Sequence, residues 1–205
     1  MDKWNQLASK EGIDKTIEAL KANGIDAKFV ATGEMAKKEV LSLVPEGAEV
    51  MNESSVTLDT IGIPKEINES GKYSSVRNKL NSMNRETQGL EMLKLGAAPD
   101  YVLGSVHAVT EDGQVLIASN TGSQLSAYAS GASHVIWVVG VQKIVKNNDE
   151  AIKRIYEYVL PLESERMNKA YNVTMGSFVS KLLIINREIN PGRIIVILVG
   201  EKLGF

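Results

Sequence analysis

The chain has 205 residues, enough for one large domain or two small ones with a full hydrophobic core and no need of staples. Charged residues make up 23% and the formal net charge is −2, so no surface-wide field draws phosphate backbones, and nucleic acid is a poor candidate partner. With no cysteine, disulfides, thiolate catalysis and Cys-ligated zinc or iron–sulfur clusters are excluded, and only His107 and His134 supply imidazole. The N-terminus is charged from Asp2 and carries no signal-type apolar stretch, and no run approaches the roughly 18 apolar residues of a membrane span. A cytoplasmic protein without a membrane span is the expectation.

In chain order, residues 3–23 carry Leu7, Ile13, Ile17 and Leu20 at helical spacing and stop at Asn23-Gly24, which predicts an amphipathic helix. Residues 27–32 read as a strand, 34–44 as a helix ended by Pro45, and 48–52 as a second strand, a succession that calls for parallel crossovers. A short helix follows Asn52, and residues 64–74 read as irregular. Residues 78–95 predict one long polar helix with Leu80, Met83, Leu90 and Leu93 inward. "PDYVLGSVHAVT" supplies the next strand, and Glu111-Asp112-Gly113 turns tightly into "QVLIAS". "HVIWVVG", residues 134–140, has the unbroken apolar character of a strand buried on both faces. Residues 149–169 are helical, with Ile152, Ile155, Tyr156 and Val159 on one side and a kink or break at Pro161. "KLLIINRE" and "GRIIVILVG" close the chain as a hairpin around Asn190-Pro191-Gly192. The whole predicts a single α/β domain over 1–205, with a mixed, mainly parallel sheet flanked by helices.

Three polar clusters follow strands, where ligands gather in open α/β sheets. The first holds Glu53, Ser54, Ser55 and Thr57. Ser54 and Ser55 have two competing readings, a helix N-cap or a ligand contact, while Glu53 is a carboxylate placed to act as base or nucleophile. The second runs from Ser105 to Asp112, with His107 and Glu111 as candidates for handling protons, and continues into Ser119, Asn120, Thr121, Gly122, Ser123 and Gln124. These small polar residues either cap a helix or cradle an anion; they match neither a Walker loop nor a dinucleotide fingerprint. The third is Gly140 with Lys143, a backbone that permits close approach and a cation within reach of an anion. No two histidines stand at ligand spacing and the carboxylates do not cluster, so no metal is assigned. No serine sits in a nucleophile elbow.

Taken together, "VPEGAEVMNESSVTLDTIGI", "DYVLGSVHAVTEDGQVLIASNTGSQLSAYASGASHVIWVVGVQKIV" with "DEAIKRI", and the terminal "GRIIVILVGEKLGF" resemble the LUD domain family of lactate utilization proteins over essentially the entire chain. The resemblance implies the α/β fold shared by ribose-phosphate isomerases, glucosamine-phosphate deaminases and CoA transferases, with ligands at strand ends. Two departures stand out. Many relatives carry a cysteine-rich insertion near "YNVTMGSFVSK" and an Arg where this chain has Gln124, so iron–sulfur chemistry and tight binding of a multiply charged anion at that spot are both put in doubt. No cofactor is assigned. Two readings of function follow. One is a protein that binds a small anionic ligand, whether organic acid, sugar phosphate or CoA-like molecule, with or without turnover. The other is a non-catalytic accessory or regulatory subunit that binds operon-encoded lactate-utilization partners. Homo-oligomerisation is compatible with either.

Overall fold

The computed structural model describes residues 2–172 and 174–205. A 3-10 turn, Asp2–Asn5, precedes helix α1 (Lys10–Ala22). The helix begins later than its apolar spacing predicts because Ser9 takes the N-cap and accepts the Gly12 N–H at 3.2 Å. Ile13 and Leu20 are therefore buried, whereas Leu7, outside the helix, is exposed. The expected alternation follows with β1 (Asp26–Val30), α2 (Gly33–Leu43) and β2 (Glu49–Asn52). After the short α3 (Val56–Thr60), residues 64–74 depart from the irregular segment expected. They belong to α4 (Ile63–Glu69) and lead to the two-residue strand β3 (Ser74–Ser75). Pro64 stands in the first turn of α4, where its missing N–H has no intrahelical partner to lose.

The single helix expected over 78–95 is two, α5 (Val76–Ser82) and α6 (Arg85–Ala97). Asn84 separates them by capping α6, its side chain accepting the N–H groups of Glu86 and Thr87 at 2.8 and 3.4 Å. None of the α6 residues is buried; Leu90 and Leu93, expected inward, are 61% and 70% exposed.

"PDYVLGSVHAVT" is two strands rather than one: β4 (Tyr101–Gly104) and β5 (Ala108–Thr110), which lie in different sheets. β5 turns through Gly113, at φ +77°, into β6 (Val115–Ser119). A Cβ on Gly113 would meet the Ala19 carbonyl carbon at 2.5 Å, so both the positive φ and the close approach of α1 require glycine there. Beyond a π-helical turn, Ala127–Gly131, lie β7 (His134–Gly140) and β8 (Ile144–Val145). α7 (Asn148–Arg154) continues through a π-helical stretch, Ile155–Val159, into α8 (Leu160–Tyr171). That wider turn absorbs Pro161 without breaking the rod. It also rotates the inward face, so Tyr158 is buried and Tyr156 is not.

β9 (Lys181–Ile185) and β10 (Ile194–Val199) do not form the expected hairpin. β10 lies between β1 and β7 in a six-stranded, wholly parallel sheet of order β1-β10-β7-β4-β2-β3. β9 pairs antiparallel with β6 in a four-stranded sheet of order β8-β5-β6-β9. The chain is thus an α/β protein whose principal sheet is parallel. Alternation along β7 divides its core: Val135, Trp137 and Val139 pack with α1 and the inner side of the second sheet, while Ile136 and Val138 face α2, α3 and α4. The outer side of the second sheet, through Ala108 and Leu116, packs on Ala151, Ile155 and Val159.

These placements set an unequal mutational response. Leu103→Ala in β4, fully buried, is expected to cost about 2–5 kcal/mol. Leu93→Ala on α6 is expected to change stability by less than about 0.5 kcal/mol, both read from urea unfolding midpoints.

Candidate functional site

Four strand ends converge on one cleft of about 340 Å³. From β2 the chain leads through Glu53, Ser54 and Ser55 into α3. Ser55 is the N-cap of that helix, accepting the Leu58 N–H at 3.5 Å, and Thr57 lies within its first turn. From β4, residues 105–107 cross to the second sheet. From β6 come Ser119, Asn120, Thr121, Ser123 and Gln124, and from β7 the 3-10 turn Val141–Lys143. All of these except Val141 and Gln142 line the cleft, together with Arg77 of α5, Tyr128 of the π-helical turn, and side chains of α8 including Glu163 and Arg166.

Three sequence candidates stand elsewhere. Glu111 sits in the β5–β6 turn and pairs with Lys15 at 3.0 Å, away from the cleft wall. Gly140 is hemmed by the C-terminal segment, where a Cβ would lie 2.7 Å from the Glu201 carbonyl oxygen. Gly122, at φ +88°, faces the Lys181 side chain. Conversely, Arg77 and Tyr128 enter the cleft without any sequence signal, while Ser105, at the head of the second polar cluster, lines it although it is not among the sequence-predicted site residues. Arg77 belongs to a helix start some twenty-five residues from Asn52, and only the pairing of β2 with β3 brings them together.

The loop 119–124 is held by its own side chains more than by a helix. Ser119 Oγ accepts the Gly122 N–H at 2.8 Å and donates to Gln124 Oε1 at 3.0 Å, while Thr121 Oγ1 accepts the Ser123 N–H at 3.3 Å. Neither Thr121 nor Ser123 caps a regular helix, since the next helical element is the π turn, which has no side-chain cap. Gln124 therefore spends its amide oxygen inside the loop.

Burial dominates the electrostatics. Glu53 is nearly buried; desolvation raises its carboxyl above the usual range and Arg77, 3.7 Å away, offsets this in part. Its Oε1 has no hydrogen-bond partner. Arg77 donates through Nη2 to the Asn52 carbonyl at 2.8 Å, leaving its Nε and Nη1 without a protein acceptor among the described residues. Tyr128 is buried, which lifts its phenol well above the ordinary value, and the Glu53 charge adds to that. Its ring stands edge-on to Trp137 at 5.3 Å, and a Cβ on Gly104 would lie 1.7 Å from its hydroxyl, so only glycine lets β4 run beneath it.

His107 accepts the Ala118 N–H on Nδ1 at 3.0 Å, which leaves the ring proton on Nε2. Burial first, then the charges of Lys143 and Arg154, depress its pKa to about 3. Lys143 Nζ lies 3.0 Å from Thr57 Oγ1 and 3.1 Å from Ser105 Oγ. Arg154 donates to the His107 carbonyl, and burial lowers its own pKa to about 10. Among the described residues no group of three or more His, Cys, Asp or Glu is disposed to hold a metal ion, and no helix is long and apolar enough to cross a membrane.

Fold and site together define an α/β protein with a polar cleft at strand ends, floored by a buried lysine and walled by hydroxyls. The chain belongs to the LUD domain family, whose match spans residues 13–199. Among solved structures it is similar to a DUF162 family protein from Deinococcus radiodurans, with TM-score 0.58 and 13% identity over 95% of this chain and 100% of that one, a likeness of fold. eIF2B beta from Chaetomium thermophilum matches with TM-score 0.37 and 16% identity over 60% of this chain and 42% of that one. No curated protein matches the chain.

The depressed His107 pKa has a definite sign. The unfolded imidazole takes up a proton below pH 6.5 and the native one only near pH 3, so the native state loses stability as pH falls through that window. The loss is at most about 1.4 kcal/mol per pH unit for one proton. His107→Asn, which keeps a side-chain acceptor for the Ala118 N–H, is expected to flatten this acid limb in urea unfolding midpoints measured against pH.

Proposed function

We propose that this LUD-family chain binds a small organic anion in the cleft at the strand ends, and that it serves the utilization of lactate or a related organic acid. Organic acids, sugar phosphates and CoA-like molecules are the ligand classes in view. The observation that carries this reading is the convergence of Glu53, Ser54, Ser55, Thr57, His107, Ser119, Asn120, Thr121, Ser123, Gln124 and Lys143 on one cleft with Arg77. Hydroxyl groups and a guanidinium with donors to spare suit a carboxylate or phosphate, and a concave, partly apolar wall suits a small organic body. Arg77 offers the fixed positive charge that Gln124 does not. Ser54, Ser55, Thr121 and Ser123 orient the anion, and His107, neutral at physiological pH, presents a ring N–H. Glu53, in the cleft wall beside Arg77, serves as the proton-handling carboxyl.

Thermal melting against a panel of inorganic phosphate, lactate, pyruvate, ribose 5-phosphate and coenzyme A tests the reading. A ligand at a hundred times its Kd stabilises by about 2.7 kcal/mol, so at least one member is expected to raise Tm clearly. Arg77→Gln is expected to weaken binding of that member by about 1.5–3 kcal/mol, the worth of a hydrogen bond to a charged group. A flat panel with the folded wild-type protein rules the reading out.

A further inference from the structure

Lys143 differs from the surface lysines in every physical respect that matters for reactivity. It is 2% exposed, stands at the end of β7, and still forms part of the cleft wall. Lys15 and Lys28 at the surface meet carboxylates at 3.0 and 2.6 Å, but Lys143 meets only hydroxyls and makes no ion pair among the described residues. The Thr57 hydroxyl gives its proton to the Leu203 carbonyl at 3.1 Å, so its oxygen accepts one N–H of Lys143. Ser105 Oγ has no other hydrogen-bond partner among the described residues and is able to donate or accept. Such a setting suits an amine that gains and loses a proton, whereas a carboxylate neighbour would hold it as ammonium. Burial, with the Arg154 charge adding to it, lowers the Lys143 pKa well below the ordinary lysine range.

We propose that Lys143 is a nucleophile, its Nζ forming a Schiff base with the carbonyl carbon of a small carboxylate-bearing aldehyde or ketone held in the cleft. This deepens the anion reading and rests on it: Arg77 and the hydroxyls hold the carboxylate, and the carbonyl is left to the amine. The Nζ lone pair attacks the carbonyl carbon and the C=O pair moves to oxygen. A proton passes from nitrogen to that oxygen, a second from the Glu53 carboxyl lets water depart, and the iminium remains. Addition of water reverses the sequence, so no oxidant or reductant is required. Lys143 is on this account a catalytic residue, with Thr57 and Ser105 positioning its amine.

The full chain is incubated at pH 7 with glyoxylate or pyruvate and sodium cyanoborohydride, which delivers hydride to an iminium and makes the link permanent. One N-carboxyalkyl group per chain is expected, mapped by peptide mass spectrometry to Lys143. Labelling there should exceed that of any other lysine by more than about tenfold, since the cleft holds the probe's carbonyl against this amine alone. Lys143→Arg should abolish the adduct, and Ser105→Ala should slow its formation while leaving it at Lys143. Adducts spread over surface lysines, or none with either probe, overturn the proposal. If pyruvate raises Tm without labelling, the amine's role falls and the anion reading stands; if it does neither while phosphate or another panel member raises Tm, the same division holds. A panel with no effect and no adduct ends both. Because wild-type labelling decides the matter, poor folding of a variant does not obscure it.

Discussion

Residues 105–107 carry the chain out of the parallel sheet and into the second one, and the hydrogen bonds around this crossing tie the ends of β2, β6 and β7 and helix α7 together beneath the cleft. A chain leaving a sheet exposes backbone groups that must find partners. Here the Leu103 carbonyl near the end of β4 accepts the Glu53 N–H at 2.9 Å, tying β4 to the end of β2. His107 N–H reaches the Leu116 carbonyl at 3.0 Å and its ring accepts from Ala118, tying the crossing to β6. Its carbonyl is taken by Arg154 of α7, and Ser105 Oγ by Lys143 at the end of β7. Remove the crossing and the clusters revert to unrelated strand ends.

The same construction explains the unusual electrostatics. Filling the space behind the crossing with Lys143 and Arg154 buries two basic groups without a carboxylate partner among the described residues. Desolvating an ammonium or guanidinium costs several kcal/mol, and hydrogen bonds to neutral groups return only part of it. Arg154 recovers some through the face of Tyr158, 5.2 Å from its guanidinium carbon. Its Nε and Nη2 nevertheless lack hydrogen-bond partners. Three well-packed hydrophobic clusters offset that deficit. Local expense of this kind, borne by a stable scaffold, is the physical pattern of a functional site.

The loop 119–124 shows how a polar stretch can satisfy itself and still face a ligand. Its hydroxyls and amide bond to one another, which fixes their positions before anything binds. The reward is a wall whose donors need no large rearrangement on binding. Gln124 is neutral, and Arg77, which lines the same cleft, has its guanidinium hydrogen-bonded through Nη2 to the Asn52 carbonyl. Among the cations lining the cleft, Arg77 comes from a helix start and none from the loop where the family resemblance placed an Arg.

What the sequence by itself determined is local. Alternating helix and strand signals through residue 60, the doubly buried strand 134–140, the turn at Gly113 and the polar ends of β2, β6 and β7 are all written in spacing and residue type over a few positions. Tertiary structure alone decided matters that depend on distant partners. "DYVLGSVHAVT" reads as one strand because each half has strand character, and only pairing of β4 with β7 and of β5 with β6 divides it between two sheets. β9 and β10 look like a hairpin because they are adjacent strands around a proline–glycine turn, yet β10 gains more by lying between β1 and β7, where both of its faces are buried. Leu90 and Leu93 have helical spacing but no facing element in the described structure, so spacing misleads. Arg77 and Tyr128 carry no motif; their place in the cleft follows from sheet order, and sheet order is a non-local property that no window of sequence contains.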